Sequence, residues 1–377
     1  MANTPSNKIR VLVIDDSTFM RKVLETILTS DPQFQVVGQA KDGREAVALA
    51  ESLKPDVMTM DINMPHMDGL QATAEIMTTN PRPIVVVSSE SREGANGALK
   101  ALELGAIEFV AKPNSAIDLD MQSIREELLR KVKMASKVRV VRTASRLAAT
   151  LQGNGTAAKP IARPAASSSR LAAASSGDQR FPVVVLGAST GGPATVMRLA
   201  PGFTKDFPAA LILVQHMPAA FTTQYAAQLA EFTEIPVKEA EHGETLQPGN
   251  LYICPGAQHL SVDPLGRIKL DSVTGRIAGY LPNIDVTMES VAAYGGALSI
   301  GVVLTGMGAD GAQGAKAIKK AGGHVIAQDE ATSVIFGMPA EAIKLDAVDQ
   351  VLGIDDIYSA IEKRVLALTR PMPVGSR

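Results

Sequence analysis

At 377 residues the chain exceeds what one hydrophobic core usually organises, so two domains are expected. A formal net charge of -2 offers no field for gathering nucleic acid or an anionic membrane, and a composition 46% hydrophobic and 20% charged is that of an ordinary α/β protein. The single cysteine, Cys254, excludes an internal disulfide, the polar start MANTPSNKIR shows no secretory leader, and no apolar run nears the ~20 residues that span a bilayer, so a cytoplasmic location without direct membrane insertion is expected.

Residues 8–125 alternate short apolar runs, RVLVIDD, FQVVGQA, DVMTMDINMP, PIVVVSS and EFVAKP, with helix-like stretches, the pattern of a parallel sheet wrapped by helices. Ser17 is placed to cap the first helix, and Phe19, Met20, Val23, Leu24, Ile27 and Leu28 recur at helical spacing on the face expected to be core. In an open parallel sheet, functional groups collect beyond the carboxyl ends of the strands. Asp15 and Asp16 close the first predicted strand, Asp61 the third, Ser88 and Ser89 the fourth, and Lys112 the fifth. Carboxylates brought together there repel unless a cation sits among them, and hard oxygen ligands suit Mg²⁺. A carboxylate can itself be the nucleophile in phosphoryl transfer, with Mg²⁺ and a lysine neutralising the transferred group, and Asp61 fits that role. Through DDS, MDINMPHMDGL, SS and AKP, this part resembles a response-regulator receiver domain, whose fold is flavodoxin-like. The resemblance implies Asp61 as phosphoacceptor, Asp15, Asp16, Asp61 and the Asn63 backbone carbonyl around Mg²⁺, Ser88 as switch hydroxyl and Lys112 as phosphate partner.

Residues 126–179 are expected to hold a helix end followed by a flexible linker, because from Ser136 to Gly177 the chain has Lys and Arg but no Asp or Glu, amid Ala, Ser, Pro, Gly and Thr. Its Lys137, Arg139, Arg142, Arg146 and Arg163 read as solvated charges.

From 180 to 371 the pattern restarts. FPVVVLGAS, AALILVQ, LSIGVVLTG and HVIAQD look like buried strands between helices, a second doubly wound sheet, while NLYICPGAQHLSVDPLGRIKLD reads as short strands and turns that insert a β-hairpin. The turn GASTGG before Pro193 has two competing uses: it can cradle phosphate on backbone N–H groups, or, as G-x-S-x-G, it can expose Ser189 at a strand end. His216 ends AALILVQ and Asp310 follows GVVLTG, so both are expected at the same sheet edge as Ser189. Serine needs a base to become a nucleophile, and the resulting imidazolium needs a carboxylate, which is what the three together supply. Backbone N–H groups at Thr190 and Met307 are candidate oxyanion donors. His66, His242, His259 and His324 are assigned surface or packing roles, and with no paired ligand spacing around Cys254 no catalytic-domain metal or other cofactor is expected.

The order Ser189, His216, Asp310 departs from that of α/β-hydrolases. With GASTGG, QHMP, LTGMGADG and FGMP, residues 181 to about 365 resemble the catalytic domain of the chemotaxis protein-glutamate methylesterases, the CheB family. That resemblance implies a phosphorylation-activated serine hydrolase that removes methyl esters from glutamates of methyl-accepting chemotaxis receptors and deamidates receptor glutamines. It also implies a chemotaxis histidine kinase as phosphodonor, Ser189 as nucleophile, His216 as general base and acid, and Asp310 as orienting carboxylate. Where the family commonly carries HRPS, this chain has Tyr280-Leu281-Pro282-Asn283, so a basic contact near the substrate groove is missing; Asp285 remains as a possible helix cap. A switched binding protein without catalysis and a dinucleotide enzyme using GASTGG are the alternatives from other classes.

Overall fold

The computed structural model describes residues 8–89, 91–112, 121–138, 180–272 and 280–369. The first apolar runs form β1 (Ile9–Ile14), β2 (Phe34–Ala40), β3 (Val57–Met60), β4 (Ile84–Ser88) and β5 (Glu108–Ala111), paired in parallel in the order β2-β1-β3-β4-β5. This is the flavodoxin-like order. The helices between and after them are α1 (Thr18–Thr29), α2 (Gly43–Leu53), α3 (Gly69–Thr79), α4 (Arg92–Glu103) and α5 (Met121–Ala135).

The second half builds β6 (Val183–Ala188), β7 (Ala210–Gln215), β8 (Val237–Glu239) and β9 (Leu251–Ile253), with α6 (Gly192–Leu199) and α7 (Ala219–Ala230) between them. Then come the antiparallel hairpin β10 (His259–Val262) and β11 (Ile268–Asp271), α8 (Ile284–Gly295), β12 (Ser299–Val303), α9 (Ala312–Lys320), β13 (His324–Gln328), α10 (Met338–Lys344), β14 (Gln350–Leu352) and α11 (Ile354–Thr369). Seven strands pair in parallel as β14-β13-β12-β6-β7-β9-β8, and the hairpin stands apart as the expected insertion. Every residue of β6, β7 and β12 is buried. Helices cover both faces, so alternate residues feed two cores: Val184 and Leu186 join one, Val183 and Val185 the other.

Helix starts carry their own acceptors. Ser17, Asp42, Asp68 and Ser91 cap α1 to α4 through side-chain oxygens, each worth ~1 kcal/mol. On α1, Leu24, Ile27 and Leu28 are buried as the spacing predicts, but Phe19, on the first turn, is 62% exposed. Asp285 does serve as a cap, though of a different helix. Asn283 caps α8 by accepting from Val286 N, whereas Asp285 Oδ1 accepts from Gly314 N at 2.7 Å, at the start of α9.

The two sheets share apolar packing. α4 lies against α6 and α7, and its Leu99 and Leu102 join one cluster with Phe221 and Tyr225 of α7. Phe109 of β5 stacks on Phe221 with ring centroids 4.3 Å apart. Residues 139–179, where most of the expected linker falls, lie outside the described residues.

Candidate active site and receiver pocket

The strand order β12-β6-β7 places three carboxyl ends side by side, at the point where successive crossovers leave in opposite directions. Open α/β sheets bind ligands at such a point. Ser189 follows β6, His216 follows β7, and Asp310 lies in the loop after β12. The turn carrying Ser189 is stitched to both neighbours. Ser189 N donates to Thr305 O at 3.0 Å, His216 N donates to Ala188 O at 3.1 Å, Gln215 Nε2 donates to Ser189 O at 2.9 Å, and Thr305 Oγ1 donates to Thr190 O at 3.0 Å. Gln215 and Thr305 were not singled out from sequence; the signal for both was a polar residue at the end of a buried apolar run.

His216 Nε2 donates to Asp310 Oδ2 at 2.8 Å. Burial alone would raise the Asp310 carboxyl, but the hydrogen bond from His216 and the N–H groups of Ile284 and Asp285 outweigh it and hold it below the usual carboxylate range. Asp310 is therefore charged and accepts the hydrogen bond from Nε2–H of His216. The other ring nitrogen, Nδ1, is buried and has no hydrogen-bond partner. A buried, unpaired nitrogen costs stability, so its place in the site calls for a use. Asp285, whose N–H donates to Asp310, is pushed up to about 6 by burial and by the charges of Asp310 and Glu289.

Thr190 is buried next to Ser189, and Met307 lies in the turn after β12. That turn approaches the serine closely: a Cβ on Gly306 would lie 2.7 Å from Ser189 Cβ, so no side chain fits there. The FGMP segment holds the turn from outside, with Gly337 N and Met338 N donating to Gly306 O. Tyr280, expected only as the site of a missing basic contact, stacks on the His216 ring with centroids 4.4 Å apart. Among the other histidines, His259 is buried, His324 sits 3.4 Å from Asp349, and His242 Nδ1 accepts from Leu270 N. Cys254 is a buried free thiol, pushed up to about 12 by burial.

A cavity of about 190 Å³ is lined by Ser189, Thr190, His216 and Tyr280 from the second half and by Glu108, Glu127, Arg130 and Lys131 from the first. Ser189 is 6% exposed beneath it. Lys131 Nζ donates to Phe109 O at 2.6 Å and pairs with Glu127 at 2.7 Å, and Gln228 Nε2 of α7 donates to Glu103 of α4. A receiver tethered to an enzyme by a flexible linker is expected from sequence to cover the Ser189 cleft, but no local pattern singles out Glu108, Glu127, Arg130 and Lys131 as the residues that do so.

In the first sheet, Asp15, Asp16 and Asp61 bring ligand oxygens within 4.8 Å of one another, with Lys112 Nζ 2.8 Å from Asp15 and 2.9 Å from Asp61. Three carboxylates against one ammonium leave a net -2, and all the donors are hard oxygens, so the set fits a divalent cation such as Mg²⁺. Asn63 is exposed in the loop after β3. Ser88 Oγ donates to Gly94 O at 2.9 Å, tying the end of β4 to the first turn of α4. Burial raises the Asp61 carboxyl; Lys112 opposes the shift, and the Asp15 charge adds to it. An acid whose pKa is raised on folding binds its proton more tightly in the folded state, so stability falls as pH rises through that raised value. Asp61→Asn removes the charge, and its melting temperature at neutral pH is expected to exceed that of the wild type by a few degrees. Added Mg²⁺ should raise the melting temperature of the wild type more than that of Asp61→Asn.

Residues 184–361 match the family described as CheB methylesterase, and residues 11–151 match the response regulator receiver domain. The chain is 42% identical to the protein-glutamate methylesterase/protein-glutamine glutaminase of Symbiobacterium thermophilum, over 97% of this chain and 99% of that one. It is 44% identical to a protein of the same description from Nitratidesulfovibrio vulgaris, over 94% and 98%. Among solved structures, the Thermotoga maritima CheB methylesterase catalytic domain is 40% identical with a TM-score of 0.47, covering 49% of this chain and 99% of that domain. No helix among the described residues is long and apolar enough to cross a membrane.

Proposed function

The chain belongs to the CheB methylesterase family, and from that premise we propose that it hydrolyses glutamyl methyl esters on chemotaxis receptors, with Ser189, His216 and Asp310 as the reacting residues and phosphorylation of Asp61 as the control. The observation that carries the reading is the His216–Asp310 contact, with the second ring nitrogen unpaired and with His216 and Ser189 lining one cavity. In the first step Ser189 Oγ attacks the ester carbonyl carbon while His216 Nδ1 takes the hydroxyl proton, and the imidazolium is stabilised by charged Asp310. Negative charge on the carbonyl oxygen is met by backbone N–H groups at Thr190 and Met307. Collapse breaks the ester C–O bond, and His216 returns its proton to the departing methoxide, which leaves as methanol. Water then attacks the acyl-serine by the same proton route and releases glutamate. A glutamine side chain enters the same sequence with ammonia as leaving group, which accounts for the second activity in the relatives' description.

In the receiver, Asp61 would take the phosphoryl group from a chemotaxis histidine kinase; Asp15, Asp16, Asp61 and the Asn63 carbonyl would hold Mg²⁺, Lys112 would pair with the phosphate and Ser88 would respond to it. When bound there, the ion would supply neutralising charge for the transferred group. A cytoplasmic setting is in keeping with a lone, free cysteine. The test is methanol release from a methylated receptor fragment, and ammonia release from its glutamine form, with and without a small phosphodonor and Mg²⁺. Methanol release that rises with phosphodonor is expected; its absence under both conditions would reject the reading.

A further inference from the structure

His216 is held at one nitrogen only, by the Asp310 hydrogen bond, which leaves the ring free to rotate about that contact. What limits the rotation is a flat surface: the Tyr280 ring lies on the imidazole with centroids 4.4 Å apart and planes 17° from parallel. At its far end the tyrosine reaches the turn after β12. A Cβ on Gly308, whose φ is +92°, would lie 3.2 Å from the Tyr280 hydroxyl, so the ring spans from His216 to the turn that carries Met307. The same short segment secures the acid, since Ile284 N and Asp285 N donate to Asp310 at 2.8 and 3.0 Å and Asn283 caps the helix they begin. Residues 280–285 thus touch both members of the His–Asp pair.

We propose that Tyr280 is a positioning residue of the hydrolytic site: its ring fixes the imidazole plane so that Nδ1 faces Ser189, and its π face stabilises the imidazolium formed when Ser189 loses its proton. Aromatic faces attract a cation within about 6 Å of the centroid, and the 4.4 Å separation lies inside that range. Because the charge on His216 develops in the transition state, the contribution falls on kcat and not on ester binding. The inference rests on the triad reading.

The experiment measures methanol release by full-length protein with saturating phosphodonor for wild type, Tyr280→Phe, Tyr280→Leu, Tyr280→Met and Ser189→Ala, with melting temperatures taken for each. Tyr280→Phe is expected to keep kcat within about twofold, while Leu and Met, which fill the volume without a π face, lose roughly tenfold in kcat with KM little changed. Wild-type kcat in folded Leu and Met variants, a loss confined to KM, or a Phe variant as poor as Leu would each overturn the proposal. Inactive Ser189→Ala beside fully active Leu and Met variants rejects Tyr280 alone, whereas an active Ser189→Ala rejects the triad beneath it.

Discussion

Ser189→Ala is expected to lower methyl-ester hydrolysis by about a thousandfold or more while leaving the melting temperature within a few degrees of wild type. The substitution removes one hydroxyl. The backbone contacts that shape the turn, Ser189 N to Thr305 O and Gln215 Nε2 to Ser189 O, do not involve it. His216→Ala should cost about as much activity, because members of such a unit fail together. Asp310→Asn is expected to retain more activity than either and to cost stability as well. Its two oxygens accept from His216 Nε2, Ile284 N, Asp285 N and Gly311 N, and an amide would replace one acceptor by a donor facing N–H groups. The pH dependence follows the same logic. Asp310 is held below the usual carboxylate range, so its stabilising contribution is present above its unfolded pKa and is lost as pH falls through the depressed folded value. Initial rates and thermal melts on the purified variants separate these effects, and full activity in Ser189→Ala would end the triad reading.

Deleting residues 1–140 is expected to give a fragment about ten- to a hundredfold faster than the unphosphorylated full-length protein, equivalent to closure favoured by about 1.4–2.8 kcal/mol. The first half supplies Glu108, Glu127, Arg130 and Lys131 to the cavity over Ser189, and the Phe109–Phe221 stack fastens that cover to α7, which begins three residues after His216. Tethering makes the contact effectively intramolecular, so a modest interface is enough to keep the site mostly closed. The link to phosphorylation runs through α4. Ser88 spends its hydroxyl on Gly94 O in the first turn of that helix, and α4 is the element packed on α6 and α7. On the proposed reading, a phosphoryl group on Asp61 would offer Ser88 a stronger acceptor, free Gly94 and shift the helix that bears the interface, so that the closed state would lose population. Asp61→Asn should accordingly yield a full-length enzyme that no phosphodonor stimulates. A fragment no faster than the unphosphorylated full-length chain would reject occlusion and leave recruitment as the receiver's role.

Much of this was legible in the chain because the signals are local. Strand runs such as VVVLGA and ALILVQ are apolar throughout since both faces of a parallel sheet are covered, and their ends locate Ser189 and His216 before any fold is known. The same holds for the acidic residues and Lys112 at the ends of the receiver strands. Other features depend on which surfaces meet. Exposure of Phe19 and the service of Asp285 to α9 instead of its own helix both turn on neighbours distant in sequence.

Local pattern was thus enough to foretell the two doubly wound halves, the residues at their strand ends and the chemistry those residues can perform, because periodicity and side-chain type act over a few residues. It takes the packing of distant segments to set Nε2 of His216 against Asp310 with Nδ1 unpaired, to lay Tyr280 flat on that ring, and to bring the receiver's α5 over the cavity that Ser189 lines. Each of these is a contact between segments tens to hundreds of residues apart, set by strand order and by packing of helix faces, and neither leaves a pattern in the local sequence.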